Sequence, residues 1–191
     1  MKIGRLLSPV HSLGPGERVC LWTQGCSKKC IGCISPELQA FAGNETDEAL
    51  LGRIIIEVAK KGRCSGLTVS GGDPFEQAPS LLVFLRSVRE FFDDILVYTG
   101  FELREILDGA AGKEGTECLE YIDVLIDGRY ERWLNKPDCV LRGSTNQRIH
   151  YLNKEKEAIY TEYMKKGRIL ESFVHDNKTI ITGILNEEEE Q

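Results

Sequence analysis

Cys26, Cys30 and Cys33 stand in "CSKKCIGC", three thiols spaced by three and then two residues. Structural zinc sites want four ligands, usually two CxxC pairs, and this chain has no second pair. Iron–sulfur clusters are held by thiolates, and a 4Fe–4S cubane has four irons to ligate. Three cysteines therefore leave one iron open, and an open position marks a reactive metal centre rather than a structural one. Cys20 or Cys64 is the alternative: either, as a fourth thiolate, would close the cluster. Gly25 and Gly32 allow backbone to approach the sulfurs, and Lys28 and Lys29 either put positive charge beside an anionic cluster or face solvent. Cys118 and Cys139 stand singly and read as small buried thiols.

Other unusual turns are "SGGDP" (Ser70–Pro74), "YTG" (Tyr98–Gly100), "DGRY" (Asp127–Tyr130) and "GSTN" (Gly143–Asn146). The elements that must position them alternate. "RVCLWT" reads as a strand before the cysteine loop, and "TDEALLGRIIIEVAKKG" has helical spacing with Thr46 as cap and Gly62 as stop. "GLTVS" is a buried strand, "EQAPSLLVFLRSVREFF" a helix, "DILVYTG" a strand, "FELREIL" a helix and "YIDVLIDG" a strand. "CVLRGSTNQRIHYL" contains one more strand, and residues 109–118 read as a surface loop.

That alternation predicts an α/β fold with mostly parallel strands, in which functional residues collect at the carboxyl ends of strands. The cysteine loop, "SGGDP", "YTG" and "DGRY" all follow strands, so one site is expected along one rim of the sheet. About five strands in residues 1–153 make an incomplete barrel with an open side. Residues 154–186 are expected to add an exposed charged helix and a hairpin turning at "HDNK", with His175 solvent-exposed, and residues 187–191 an acidic tail.

Hydrophobic residues are 41% and charged residues 28% of 191, the balance of a soluble globular chain. No apolar run approaches the ~18 residues of a membrane span, and the first residues lack the apolar stretch of a secretory signal, so a cytoplasmic chain with no membrane partner is expected. Of the net charge of −6, Glu187 to Glu190 supply four units, and such a body lacks the basic stripe of a nucleic-acid binder.

"CSKKCIGC" followed by the strand-ending "SGGDP" resembles the radical S-adenosylmethionine enzymes. With "LGPGERV", "VYTGFEL", "IDVLIDGRY" and "LRGSTNQRIH" in order, the chain is similar to the activating proteins of anaerobic (class III) ribonucleotide reductase. The resemblance implies a partial (β/α) barrel in which Cys26, Cys30 and Cys33 hold a 4Fe–4S cluster. S-adenosylmethionine would chelate the fourth iron, with Gly71, Gly72 and Asp73 at its amino group and Gly32 and Ile34 at its adenine. Thr99, Ser144 and Asn146 would line the nucleoside, and Asp127 and Arg142 would contact substrate or partner. Plainer structural readings stand beside these. Gly71 and Gly72 build a tight turn, Asp73 caps a helix beginning at Pro74, and Asp127 and Arg142 make a turn and a salt bridge.

The implied activity is glycyl-radical activation. An electron from flavodoxin or ferredoxin cleaves S-adenosylmethionine, and the deoxyadenosyl radical takes a glycine hydrogen from the reductase. Rival readings are a radical enzyme acting on a small molecule or peptide, a non-catalytic iron–sulfur electron carrier, and a zinc scaffold. Ile31 and Ile34 replace the family's frequent proline and aromatic residue, and the chain runs about forty residues past "GSTNQ".

Overall fold

The computed structural model describes residues 1–175 and 178–185. In chain order it contains β1 (Ile3–Val10), β2 (Arg18–Thr23), α1 (Glu48–Gly62), β3 (Gly66–Gly71), α2 (Ala78–Val88), β4 (Asp94–Tyr98) and α3 (Leu103–Leu107). There follow α4 (Gly112–Cys118), β5 (Val124–Asp127), β6 (Arg148–Tyr151), α5 (Glu157–Met164), β7 (Glu171–His175) and β8 (Lys178–Thr182). The first six strands form one sheet in sequence order, and β7 and β8 a separate two-stranded antiparallel hairpin. β2 to β5 run parallel, whereas β1 and β6 join antiparallel at the two edges.

Alternation along the strands gives the sheet two apolar faces. Val19, Leu21, Leu67, Val69, Ile95, Val97 and Leu125 enter the main core with Leu51 and Ile55 of α1 and Leu81 and Leu85 of α2. Each such buried leucine contributes about 2 kcal/mol. On the other face, Leu96, Val124 and Ile126 pack with Tyr160 and Tyr163 of α5, while Cys20 and Trp22 join Val10, Leu13 and Leu38.

Arg18 is fully buried under this second face. Its guanidinium donates to Asp94 Oδ2 at 2.5 Å, Thr68 Oγ1 at 2.6 Å and Leu67 O at 2.7 Å, and Tyr160 Oη donates to Asp94 Oδ2 at 2.9 Å. Burying a charge is costly without such partners, so this network fixes α5 to the starts of β2 and β4.

Several expectations need correction. "IGRLLSPV", punctuated by Gly4 and Pro9, is a further strand beyond the alternation read from the sequence; as edge strand β1 it can hold a proline. The stretch 109–118 is not all loop: α4 forms despite its glycines because Gly115 and Cys118 pack inward, Gly115 beside Ala111, Phe75 and Ala78. α5 is charged but not simply exposed, since Tyr160 and Tyr163 are buried. The cap of α1 is Asp47, whose carboxylate accepts from Leu50 N at 2.7 Å, rather than Thr46. The side chain of His175 lies outside the described residues.

Candidate functional site

The turns that follow β2, β3, β4 and β5 meet at one rim of the sheet and line one cavity of about 460 Å³. Cys26, Cys30 and Cys33 all face it, with Gly32 and Ile34 from the same loop, Gly71 at the end of β3, Gly72 just after it and Thr99 after β4.

The paired glycines have a steric cause. A Cβ on Gly71, whose φ is +120°, would come within 2.1 Å of Thr23 N, and one on Gly72 within 2.3 Å of Gly25 O. The β3 turn thus lies backbone against backbone on the start of the cysteine loop. Gly72 N donates to Thr23 O and Asp73 N to Gly25 O, both at 2.8 Å.

Asp73 is buried and its carboxylate is spoken for. It accepts from Thr99 Oγ1 at 2.9 Å, Gly100 N at 2.9 Å and Phe75 N at 3.0 Å. Burial pushes its pKa up to about 6, against the pull of these donors. Asp73 also acts as a cap, on the 3₁₀ turn Pro74–Gln77, with Pro74 in its first turn.

A second clamp was missed in the sequence. Glu76 Oε1 accepts from Ser27 N at 3.1 Å and from the Ser27 hydroxyl, and lies 3.4 Å from Lys28 Nζ. Burial opposes its ionisation, but these partners hold its pKa below the ordinary carboxylate value. Lys28 is 7% exposed, and its ammonium sits 3.1 Å from the centre of the Phe101 ring, a cation–π contact. The two lysines therefore part company: Lys28 faces inward and only Lys29 is exposed. The available signal was the acidic residue three positions after Asp73 and the basic pair between the cysteines.

The segment "GSTNQ" does not present Ser144 or Asn146 to the cavity; Gly143 and Gln147 line it instead. Ser144 Oγ accepts from Glu131 N at 3.2 Å, Asn146 Nδ2 donates to Arg129 O at 2.8 Å and Gln147 Nε2 to Gly128 O at 2.9 Å. These bonds hold the turn that brings Tyr130 against Gly32. Arg142 is spent within the same loop, donating to Gln147 O at 3.0 Å. Asp127 is buried, accepts from Leu103 N at 2.6 Å and lies 2.9 Å from His150 Nε2, away from the cysteine cavity.

The three thiols reach one cavity from one loop, and thiolates are the donors that hold iron–sulfur clusters. Burial pushes the Cys26 and Cys30 thiols up, while main-chain N–H groups of Lys28 and Tyr130 reach toward them, as hydrogen bonds to cluster sulfurs do. Cys20 and Cys64 do not line the cavity: Cys20 is packed with Val10 and Leu13, and Cys64 contacts Ser8 Oγ at 3.3 Å.

Residues 12–150 match the family model described as a 4Fe-4S single cluster domain. The anaerobic ribonucleoside-triphosphate reductase-activating protein of Haemophilus influenzae is 38% identical over 143 residues, covering 72% of this chain and 89% of that protein. Its counterpart in Escherichia coli is 30% identical over 145 residues, covering 73% and 91%, and that of Enterobacteria phage T4 is 34% identical over 148 residues, covering 71% and 85%. The chain belongs to the anaerobic ribonucleoside-triphosphate reductase-activating protein family. In this family member the matched region takes in β2 to β5 with all four rim turns, whereas β7 and β8 lie beyond it. No helix among its described residues is long and apolar enough to cross a membrane.

Proposed function

We propose that this protein activates an anaerobic ribonucleotide reductase as a radical S-adenosylmethionine enzyme of the cytoplasm. Cys26, Cys30 and Cys33 would hold a 4Fe–4S cluster, and S-adenosylmethionine would occupy the rest of the cavity, with flavodoxin or ferredoxin as electron donor. The open sheet β1–β6 is read as the partial barrel of that class. When bound, this pair supplies one-electron cleavage of S-adenosylmethionine to methionine and a 5′-deoxyadenosyl radical, which takes an α-hydrogen from a glycine of the reductase.

The observation that carries the reading is the meeting of four strand-end turns at one cavity lined by all three motif cysteines. The chain's own residues have supporting tasks. Gly71 and Gly72 seat the β3 turn on the main chain of Thr23 and Gly25, where a side chain would clash, Asp73 braces the β3 and β4 turns, and Glu76 and Lys28 fix the cysteine loop. Gly32, Ile34 and Thr99 would contact the cofactor directly. Ser144 and Asn146 would serve it indirectly, through the Arg129–Glu131 turn, and Asp127 and Arg142 would serve the framework.

The test is anaerobic reconstitution, reduction and electron paramagnetic resonance with and without S-adenosylmethionine, then with the reductase. A cluster signal that shifts with S-adenosylmethionine, 5′-deoxyadenosine as product, and a glycyl radical on the reductase are expected. A cluster indifferent to S-adenosylmethionine would instead mean an electron-transfer protein.

A further inference from the structure

One wall of the cysteine cavity comes from outside the family match. Thr179 to Leu185, in and just after β8, line the same space as Cys26, Cys30 and Cys33, while the match ends at residue 150. The hairpin lies over the second face of the sheet, where Phe173 packs against the cluster of Val10, Leu13, Cys20, Trp22 and Leu38, and β8 reaches from there to the cysteine cavity. At one side Glu171 Oε2 accepts from His11 N at 2.8 Å and Ser12 N at 2.7 Å, and Ser12 Oγ meets Thr182 Oγ1 at 2.9 Å. At the other side Leu185 O accepts from Asn135 Nδ2 and Arg168 Nη1, each at 2.9 Å. Gly183 is set by sterics: a Cβ there would stand 2.2 Å from Ile169 O.

These attachments differ in kind from those of α5. Tyr160 is locked into the sheet with Asp94 and Arg18, whereas of residues 179–185 only Thr182 is buried, and Val174 and Ile181 are 78% and 53% exposed. A two-stranded hairpin is marginal alone, and one held by a few polar anchors and the partly buried Phe173 is a segment that opens well below the global unfolding cost. The cavity beneath, at about 460 Å³, lies toward the small end for one bound small molecule. β8 occupies one side of the cavity, so a chain entering from that side must displace it to reach the cysteine loop.

We propose that the β7–β8 hairpin is a displaceable strap, and that an extended segment of the protein substrate takes the place of β8 against that face when it enters. The groove suits an extended chain because an extended chain of this protein already lies in it. The identity of the displacing partner rests on the activase reading; the covering role of the strap does not. Until displacement, the strap covers one side of the site, which suits a radical reaction that must exclude competing partners.

The test uses the full-length protein, reduced, cluster-free and anaerobic, as wild type and as Glu171→Ala and Thr182→Val. Iodoacetamide labelling of each cysteine is timed by peptide mass spectrometry. Five-fold or faster labelling of Cys30 and Cys33 in the variants is expected, with Cys20 and Cys118 still unreactive. Equal rates would overturn the strap, and so would labelling of Cys20 and Cys118 together with the others, because the hairpin would then be part of the global fold. Amide hydrogen exchange is next followed in residues 171–175 and 179–185 of the wild type as reductase is added. A several-fold rise is expected; a glycyl radical formed with no rise would overturn displacement. If no glycyl radical forms under any condition, the activase reading falls and the reductase with it as the displacing partner, while the labelling result still decides whether the strap covers the site.

Discussion

Thr99 Oγ1 donates to Asp73 Oδ1 at 2.9 Å, joining the turn after β4 to the turn after β3 at the floor of the cysteine cavity. Burial nevertheless raises the Asp73 pKa from 3.8 to about 6, against the pull of this bond. Between those values the native protein binds a proton that the unfolded chain releases. This contribution to stability is therefore full below pH 3.8 and is lost as pH rises through 6. Asp73→Asn has no such titration. The stability of wild type minus that of Asp73→Asn, from urea unfolding, should fall by on the order of 3 kcal/mol between pH 4 and pH 7. A flat difference would mean that the donors from Thr99, Gly100 and Phe75 fully offset burial.

The Arg18–Asp94–Tyr160 network gives a sharper stability test. Arg18→Met leaves the Asp94 carboxylate, 12% exposed, without its cation, and should cost about 3–5 kcal/mol. Tyr160→Phe removes one donor to the same oxygen and should cost about 1–2 kcal/mol. Combining Arg18→Met with Asp94→Leu should recover part of the first loss, because it removes the orphaned charge. Urea unfolding of the four proteins checks the order. Equal losses in the two single variants would show that α5, rather than the ion pair, sets stability here.

Much of this architecture was legible in the sequence. Strand–turn–helix alternation carried the parallel order β2 to β5, and unusual turns after strands foretold that Cys26, Gly71 and Thr99 would share a rim. What escaped depended on distant partners. β1 pairs only as an edge, so Pro9 hid it; α4 has poor helix formers and relies on packing against α2. Arg18 sits in an otherwise apolar strand with nothing local to reveal Asp94, 76 residues away. Ser144 and Asn146 stand in an unusual turn, but their side chains brace the neighbouring turn instead of lining the cavity. Motif spacing reports that residues matter, not which way they face.

Glu76 should matter for cluster retention more than for folding. It holds Ser27 and Lys28 of the cysteine loop while standing outside the main core. Glu76→Ala should lower iron bound per chain several-fold after reconstitution and gel filtration, with far-ultraviolet dichroism unchanged. Lys28→Met should act in the same direction, losing the contacts to Glu76 and Phe101. Full iron retention in both variants would show that the three thiolates order the loop unaided.

The count of thiolates decides between an open and a closed cluster. Cys20 is packed among Val10, Leu13 and Trp22, and burial pushes its thiol up to about 12, so it is poorly placed and poorly ionised as a ligand. Cys20→Ala should therefore keep full iron and an S-adenosylmethionine-sensitive spectrum, losing only about 1 kcal/mol of stability from the vacated volume. Replacing Cys26, Cys30 or Cys33 by alanine should instead abolish the 4Fe–4S signal, since two thiolates hold a cubane poorly. Iron and sulfide analysis with electron paramagnetic resonance reads both classes. Loss of the cluster in Cys20→Ala with the fold intact would mean that β2 yields to bring its thiol to the site. The fourth iron would then be closed, and S-adenosylmethionine would have no place on it.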